Sequence, residues 1–148
     1  MEDPNIIYLQ SINYQMVYNF INGDWWNNQF NEAVSKFDKK IQLLYNNGFE
    51  PYGDLNFKYI SNSHQFMLSQ IMIKGKNNDQ IEYQTFYSLF SHHRNYHFAD
   101  FCNAIQQQTN TSDWALSGKP IIDYIKEHHI YVCIQPMIRK TKKQEKPQ

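Results

Sequence analysis

Cysteine is scarce: Cys102 and Cys133 are the only two in 148 residues. They form neither a disulfide framework nor the closely spaced ligand pairs of a zinc site. They read as free thiols in a reducing compartment. Glycine and proline, five of each, are too few for a low-complexity or collagenous chain. No apolar run approaches the roughly 18 residues that a membrane span requires. The first residues, MEDPNIIYLQ, lack the basic region and apolar segment of a secretory signal. The expectation is a cytoplasmic protein with no membrane association, with secretion as a bacterial effector into a host cell left open. An excess of either charge is missing too, with 14 Lys and Arg against 14 Asp and Glu. The stretch Lys140–Gln148 holds four lysines and one glutamate, which leaves ten basic and thirteen acidic residues in the body. A slightly acidic body argues against a dedicated nucleic-acid binder, which carries a basic face.

Catalytic signatures are also lacking. There is no His-Glu-x-x-His, no Gly-x-Ser-x-Gly, no phosphate loop and no dinucleotide-binding glycine pattern. Asp100, Asp113, Asp123 and Glu127 are scattered without a paired arrangement. No catalytic residue and no cofactor is therefore assigned.

Aromatic residues are plentiful, at 16% of the chain, which is ample for a packed interior. Their arrangement repeats. Phe49 to Lys74 laid without gaps on Trp114 to Arg139 gives seven identities in 26 positions, at an offset of 65. They are Gly53/Gly118, Tyr59/Tyr124, Ile60/Ile125, His64/His129, Gln70/Gln135, Met72/Met137 and Ile73/Ile138. The same offset matches Gln15 and Tyr18 to Gln80 and Tyr83. Self-similarity over this length reads as two copies of one small folding unit. A unit of about 60 residues is marginal alone, so the copies are expected to share a core.

Each copy reads as strand, helix, strand, strand. In the first, Ile6–Leu9 and Met16–Ile21 look extended, and Asn22-Gly23 with Asp24 marks a turn and a helix cap. Phe30, Val34, Phe37, Ile41 and Leu44 form one helical stripe, stopped by Gly48. Phe49–Tyr59 is extended with a break at Gly53, and Gln65–Lys74 is the last strand. In the second, Ile81–Phe90 is a strand and Phe98, Phe101 and Ile105 make a shorter stripe. Trp114–Ile125 is extended around Gly118, and His129–Arg139 closes the copy. The expected fold is α+β: two such repeats packed as a pseudo-dimer, with antiparallel sheet and one helix per repeat. The boundaries are 1–74, 80–139 and a flexible basic tail over 140–148. Both faces of each last strand are largely apolar, so each sheet is expected to be covered on both sides, once by its own helix. Pro136 cannot donate to a ladder and is expected at an edge or a bulge.

The first copy resembles a small bacterial family, domain of unknown function 1737. The residues that carry the likeness are Ile41 and Leu44 on the helix, the Gly48-Phe49 exit, Pro51-Tyr52-Gly53, and Gln70-Ile71-Met72-Ile73-Lys74. The second copy keeps Trp114, Gly118 and Gln135-Pro136-Met137-Ile138-Arg139, and departs at Asp113, Ser117 and Pro136. The resemblance implies a small α/β unit that assembles with copies of itself, and no catalytic residues.

Four residues stand out as candidate partner contacts. Trp25 and Trp26 are adjacent, so both cannot point into one core. Gln70 and Gln135 hold the same position on apolar faces and either bond to backbone or meet across a pseudo-two-fold axis. His93 and His97 share a helix side if the helix starts by Arg94, and with His129 they are the metal candidates. Tyr83, Phe86 and Tyr87 are candidates for stacking on bases. The expected function is a non-enzymatic protein-interaction or regulatory module whose partner is another protein or itself. The alternatives are a His-dependent metal- or ligand-binding enzyme and a nucleic-acid binder led by the basic tail.

Overall fold

The computed structural model describes residues 13–22, 29–75 and 80–141. The first half contributes β1 (Tyr14–Asn22), α1 (Gln29–Asn46), β2 (Phe49–Pro51), β3 (Asn56–Ile60) and β4 (Gln65–Lys74). The second contributes β5 (Ile81–Ser91), α2 (His97–Thr111), β6 (Ala115–Leu116), β7 (Ile121–Ile125) and β8 (Ile130–Lys140). The protein is α+β, with two antiparallel sheets and two main helices among the described residues. Sheet 1 is centred on β4, with β1 on one side and β2 and β3 on the other. Sheet 2 is centred on β8, with β5 on one side and β6 and β7 on the other.

A glutamine holds the same irregularity in each sheet. β2 and β3 both pair with β4, separated by a loop in which Gly53 has φ +80°. The Gln70 amide fills that break, donating to Gly53 O at 3.1 Å and Ile71 O at 3.0 Å. Gln135 does the same between β6 and β7, donating to Gly118 O at 3.3 Å and Pro136 O at 2.8 Å. Proline is tolerated in the central strand β8 for the same reason. Pro136 O accepts from Ser117 N at the break, so the missing N–H falls where no strand runs alongside. The hairpins leading into β4 and β8 turn at His64 and His129, both at φ +53°. Each imidazole Nδ1 meets a tyrosine hydroxyl, Tyr59 at 3.2 Å and Tyr124 at 3.5 Å.

The helices differ more than their sequences. The apolar stripe of α1 is fully used: Phe30, Val34, Phe37 and Ile41 are buried on the face of sheet 1 formed by Phe66, Leu68 and Met72. α2 has no buried residue. It leans on sheet 2 through Phe98, whose ring meets Phe90 and Tyr131. α2 starts at His97, not by Arg94, so His93 lies outside it.

The halves are joined through unlike surfaces. One core unites the α1 side of sheet 1 with Tyr83, Ile125, Ile130, Val132 and Ile134 of sheet 2. These lie on the face of sheet 2 opposite the one that Phe90, Tyr131 and Cys133 present to α2. The order of layers is sheet 1, α1, sheet 2, α2, and the sheets touch directly where β3 meets β7. Beside that contact Lys119 N donates to Asp54 Oδ1 at 3.1 Å. Glycine suits position 118: its φ is +77°, and a Cβ would lie 2.9 Å from Asp54 Oδ1 and push that carboxylate aside.

Two further expectations change. Gln15 and Tyr18 do not occupy the places of Gln80 and Tyr83. Tyr14 pairs with Ile73 as Tyr83 pairs with Ile138, so β1 corresponds to β5 at an offset of 69. A shorter connection before α2 and a shorter α2 restore the offset of 65. Lys140 is not tail: it ends β8 opposite Ile81, and Thr141 N donates to Gln80 O. Ile6–Leu9, the Asn22-Gly23-Asp24 turn beyond Asn22, and 142–148 lie outside the described residues.

Candidate functional site

The residues singled out from the sequence do not gather into a reactive centre. Trp25 and Trp26 lie outside the described residues. Gln70 and Gln135 are buried, at 4% and 3% exposure, and do not meet across an axis, because each amide is bonded within its own sheet. As partner contacts they offer no surface. His93, His97 and His129 do not form a metal centre: among the described residues no group of three or more His, Cys, Asp or Glu is placed to hold an ion. His97 Nδ1 instead lies 3.4 Å from Asp100 on its own helix. His92 N donates to His129 O at 2.9 Å, fixing the loop before α2. Cys133 is fully buried in the packing under α2, and burial pushes its thiol up to about 11, with Cys102 adding to the rise. No helix among the described residues is long and apolar enough to cross a membrane.

The base-stacking trio is also placed otherwise. Tyr83 is buried, Phe86 packs edge-on against Trp114 at 5.6 Å, and Tyr87 donates to Asn31 Oδ1 at 2.8 Å. A cleft of about 360 Å³ opens between the halves, lined in part by Tyr45, Glu50, Ser117 and Ile138. Burial pushes the Tyr45 hydroxyl up to about 12, and among the described residues no histidine or lysine lines the cleft.

What the structure does expose is the outer face of sheet 1. On β1 the side chains alternate: Val17 and Ile21 point into the core, while Tyr14, Met16, Tyr18 and Phe20 are 54, 52, 48 and 46% exposed. They lie opposite Ile73, Ile71, Ser69 and Met67 of β4 on the same face. Tyr18 and Phe20 meet edge to face at 5.8 Å. The face is apolar apart from Ser69 and the tyrosine hydroxyls.

The corresponding face of sheet 2 shows what such a surface does when it is covered. There Tyr83, Thr85, Tyr87 and Leu89 oppose Ile138, Pro136, Ile134 and Val132. Tyr83 and Thr85 fall to 6 and 4% exposure, because α1 lies along them. α1 also satisfies the free edge of β5. Gln42 Oε1 accepts from Tyr83 N at 2.9 Å and Gln42 Nε2 donates to Ile81 O at 2.6 Å. One turn away, Asp38 accepts from Thr85 N at 3.0 Å and from Thr85 Oγ1 at 2.6 Å. Burial outweighs these bonds and raises the Asp38 carboxyl to about 6. On β1, the edge strand of sheet 1, Lys40 Nζ donates to Tyr18 O at 3.3 Å, opposite the place of Tyr87 on β5.

The apolar faces of the last strands are legible in the sequence, but the expectation that each sheet is covered on both sides fails for sheet 1, whose outer face stays open at β1. The signal available was Met16 and Phe20 alternating with Val17 and Ile21.

Compared with models of known families, with curated proteins and with solved structures, the chain matches none.

Proposed function

We propose that this is a protein-interaction module, without catalytic activity, that binds its partner on the outer face of sheet 1. The module is a duplicated α+β unit, two copies packed as a pseudo-dimer, and the likeness to domain of unknown function 1737 belongs to this reading. Its support is the shared pairing order of the two sheets and the glutamine-filled break in each. The observation that carries the function is Tyr14, Met16, Tyr18 and Phe20 standing open where, of their counterparts on β5, Tyr83 and Thr85 are buried and Tyr87 and Leu89 are half-buried. Aromatic and methionine side chains are the residues that give protein interfaces most of their binding energy. The partner is a protein, either another copy or a different chain.

A photo-crosslinking amino acid at Tyr18, introduced into the full chain and activated in lysate of its native cell, tests this. A defined protein adduct is expected from position 18 and not from Lys36 on the solvent side of α1. Equal labelling from both positions, or no protein adduct from position 18, contradicts the proposal.

A further inference from the structure

We infer that the open face of sheet 1 receives α2 of a second copy of this chain, so that molecules join head to tail. The inference rests on the interaction surface proposed above and names its occupant. Its basis is the packing inside one molecule. The first half offers α1, and the second half accepts it on a sheet face and a strand edge. Two units joined through unlike surfaces leave one surface of each kind unused, at opposite ends of the stack. Here the pair left open is the face of β1, with the edge beside Tyr14 and Met16, at one end and the outward side of α2 at the other.

The side chains of the two ends correspond to those of the interface already made. On α1 the residues that meet β5 stand one position after the buried stripe: Asp38 follows Phe37 and Gln42 follows Ile41. On α2 the stripe is Phe98, Phe101 and Ile105, and the residues one position on are Ala99, Cys102 and Gln106, all exposed. Gln106 carries the same amide as Gln42, able to accept from one edge N–H and donate to a neighbouring carbonyl. The other position changes on both sides together. Asp38 meets Thr85 on β5, whereas the counterpart of Thr85 on β1 is Met16 and the counterpart of Asp38 on α2 is Cys102. A polar pair within the molecule is matched by a thioether and a thiol between molecules, and both pairs are chemically compatible. Docking in this way covers Tyr14, Met16 and Tyr18 and gives the outward backbone groups of β1 the partners that β5 already has. A heterologous contact of this sort does not stop at two copies unless the rotation closes a ring.

The juxtaposition of Met16 and Cys102 supplies the test. Met16→Cys places a thiol on the exposed face, and circular dichroism checks that the variant keeps the fold. After mild oxidation with copper–phenanthroline, the expected result on a non-reducing gel is a ladder of dimers, trimers and longer species. Each would be linked from the new thiol to Cys102 of the next chain. Adding Cys102→Ser should abolish the ladder, and adding Tyr18→Lys should abolish it by breaking the docking. A single dimer band that survives Cys102→Ser means that two sheet faces meet symmetrically, which overturns this inference while keeping the face as an interface. No covalent species at all overturns it as well. In that case an adduct with a different protein from position 18 leaves the interaction surface standing with another occupant.

Discussion

Asp38 shows how one side chain links the halves. Its carboxylate takes both the amide and the hydroxyl of Thr85, 47 residues away, and so ties α1 to the edge of β5. Desolvation raises its folded pKa to about 6 from an ordinary 3.8. A folded pKa above the unfolded one means that the folded state binds more protons between the two values. The stabilisation is therefore complete below the unfolded pKa and is lost as pH rises through about 6. The pH-dependent part is on the order of 2–3 kcal/mol. Asn in place of Asp38 keeps one acceptor and has no titration. Urea unfolding at about pH 5 and about pH 7.5 should show the wild-type chain losing more stability than Asp38→Asn between the two values. Equal losses would mean that Asp38 titrates as if exposed.

At the scale of elements, the two helices that look alike in sequence do unequal work. Phe37 is fully buried under sheet 1, whereas Phe101 on α2 is only half-buried. Phe37→Ala should cost about 3–5 kcal/mol, and Phe101→Ala about 1 kcal/mol, by chemical denaturation of each variant. Similar costs would show that α2 is as firmly seated as α1. The sequence carries the existence of these elements well. The stripe Phe30, Val34, Phe37 and Ile41 is the buried set, and Gln65–Lys74 is β4. Local periodicity fixes such things because each depends on a few adjacent side chains. The register of β1 against β5 does not appear in a gapless comparison, because loop and helix lengths shift it from 65 to 69. Nor does periodicity distinguish α1 from α2, since that difference lies in what stands opposite each helix. Gln70 and Gln135 were legible as equivalent. Their partner, the carbonyl of a positive-φ glycine in a strand break, depends on the path of a loop.

For the whole molecule, the face-to-back stacking of the halves explains why one sheet face is covered and its counterpart is not. Had like surfaces met across a two-fold axis, both faces would be buried together and no end would remain. Stacking unlike surfaces instead makes β1 the less covered counterpart of β5, a strand edge with an exposed apolar face beside it and hence a template for pairing. Residue-resolved amide hydrogen exchange on dilute protein compares the two strands directly. The amides of Tyr83 and Thr85, bonded to Gln42 and Asp38, should exchange slowly. Those of Tyr14 and Met16, at the same ladder positions on β1, should exchange fast. Equal protection of the four amides in a dilute, monomeric sample would contradict the account, because the edge and face of β1 would then already be covered within one chain.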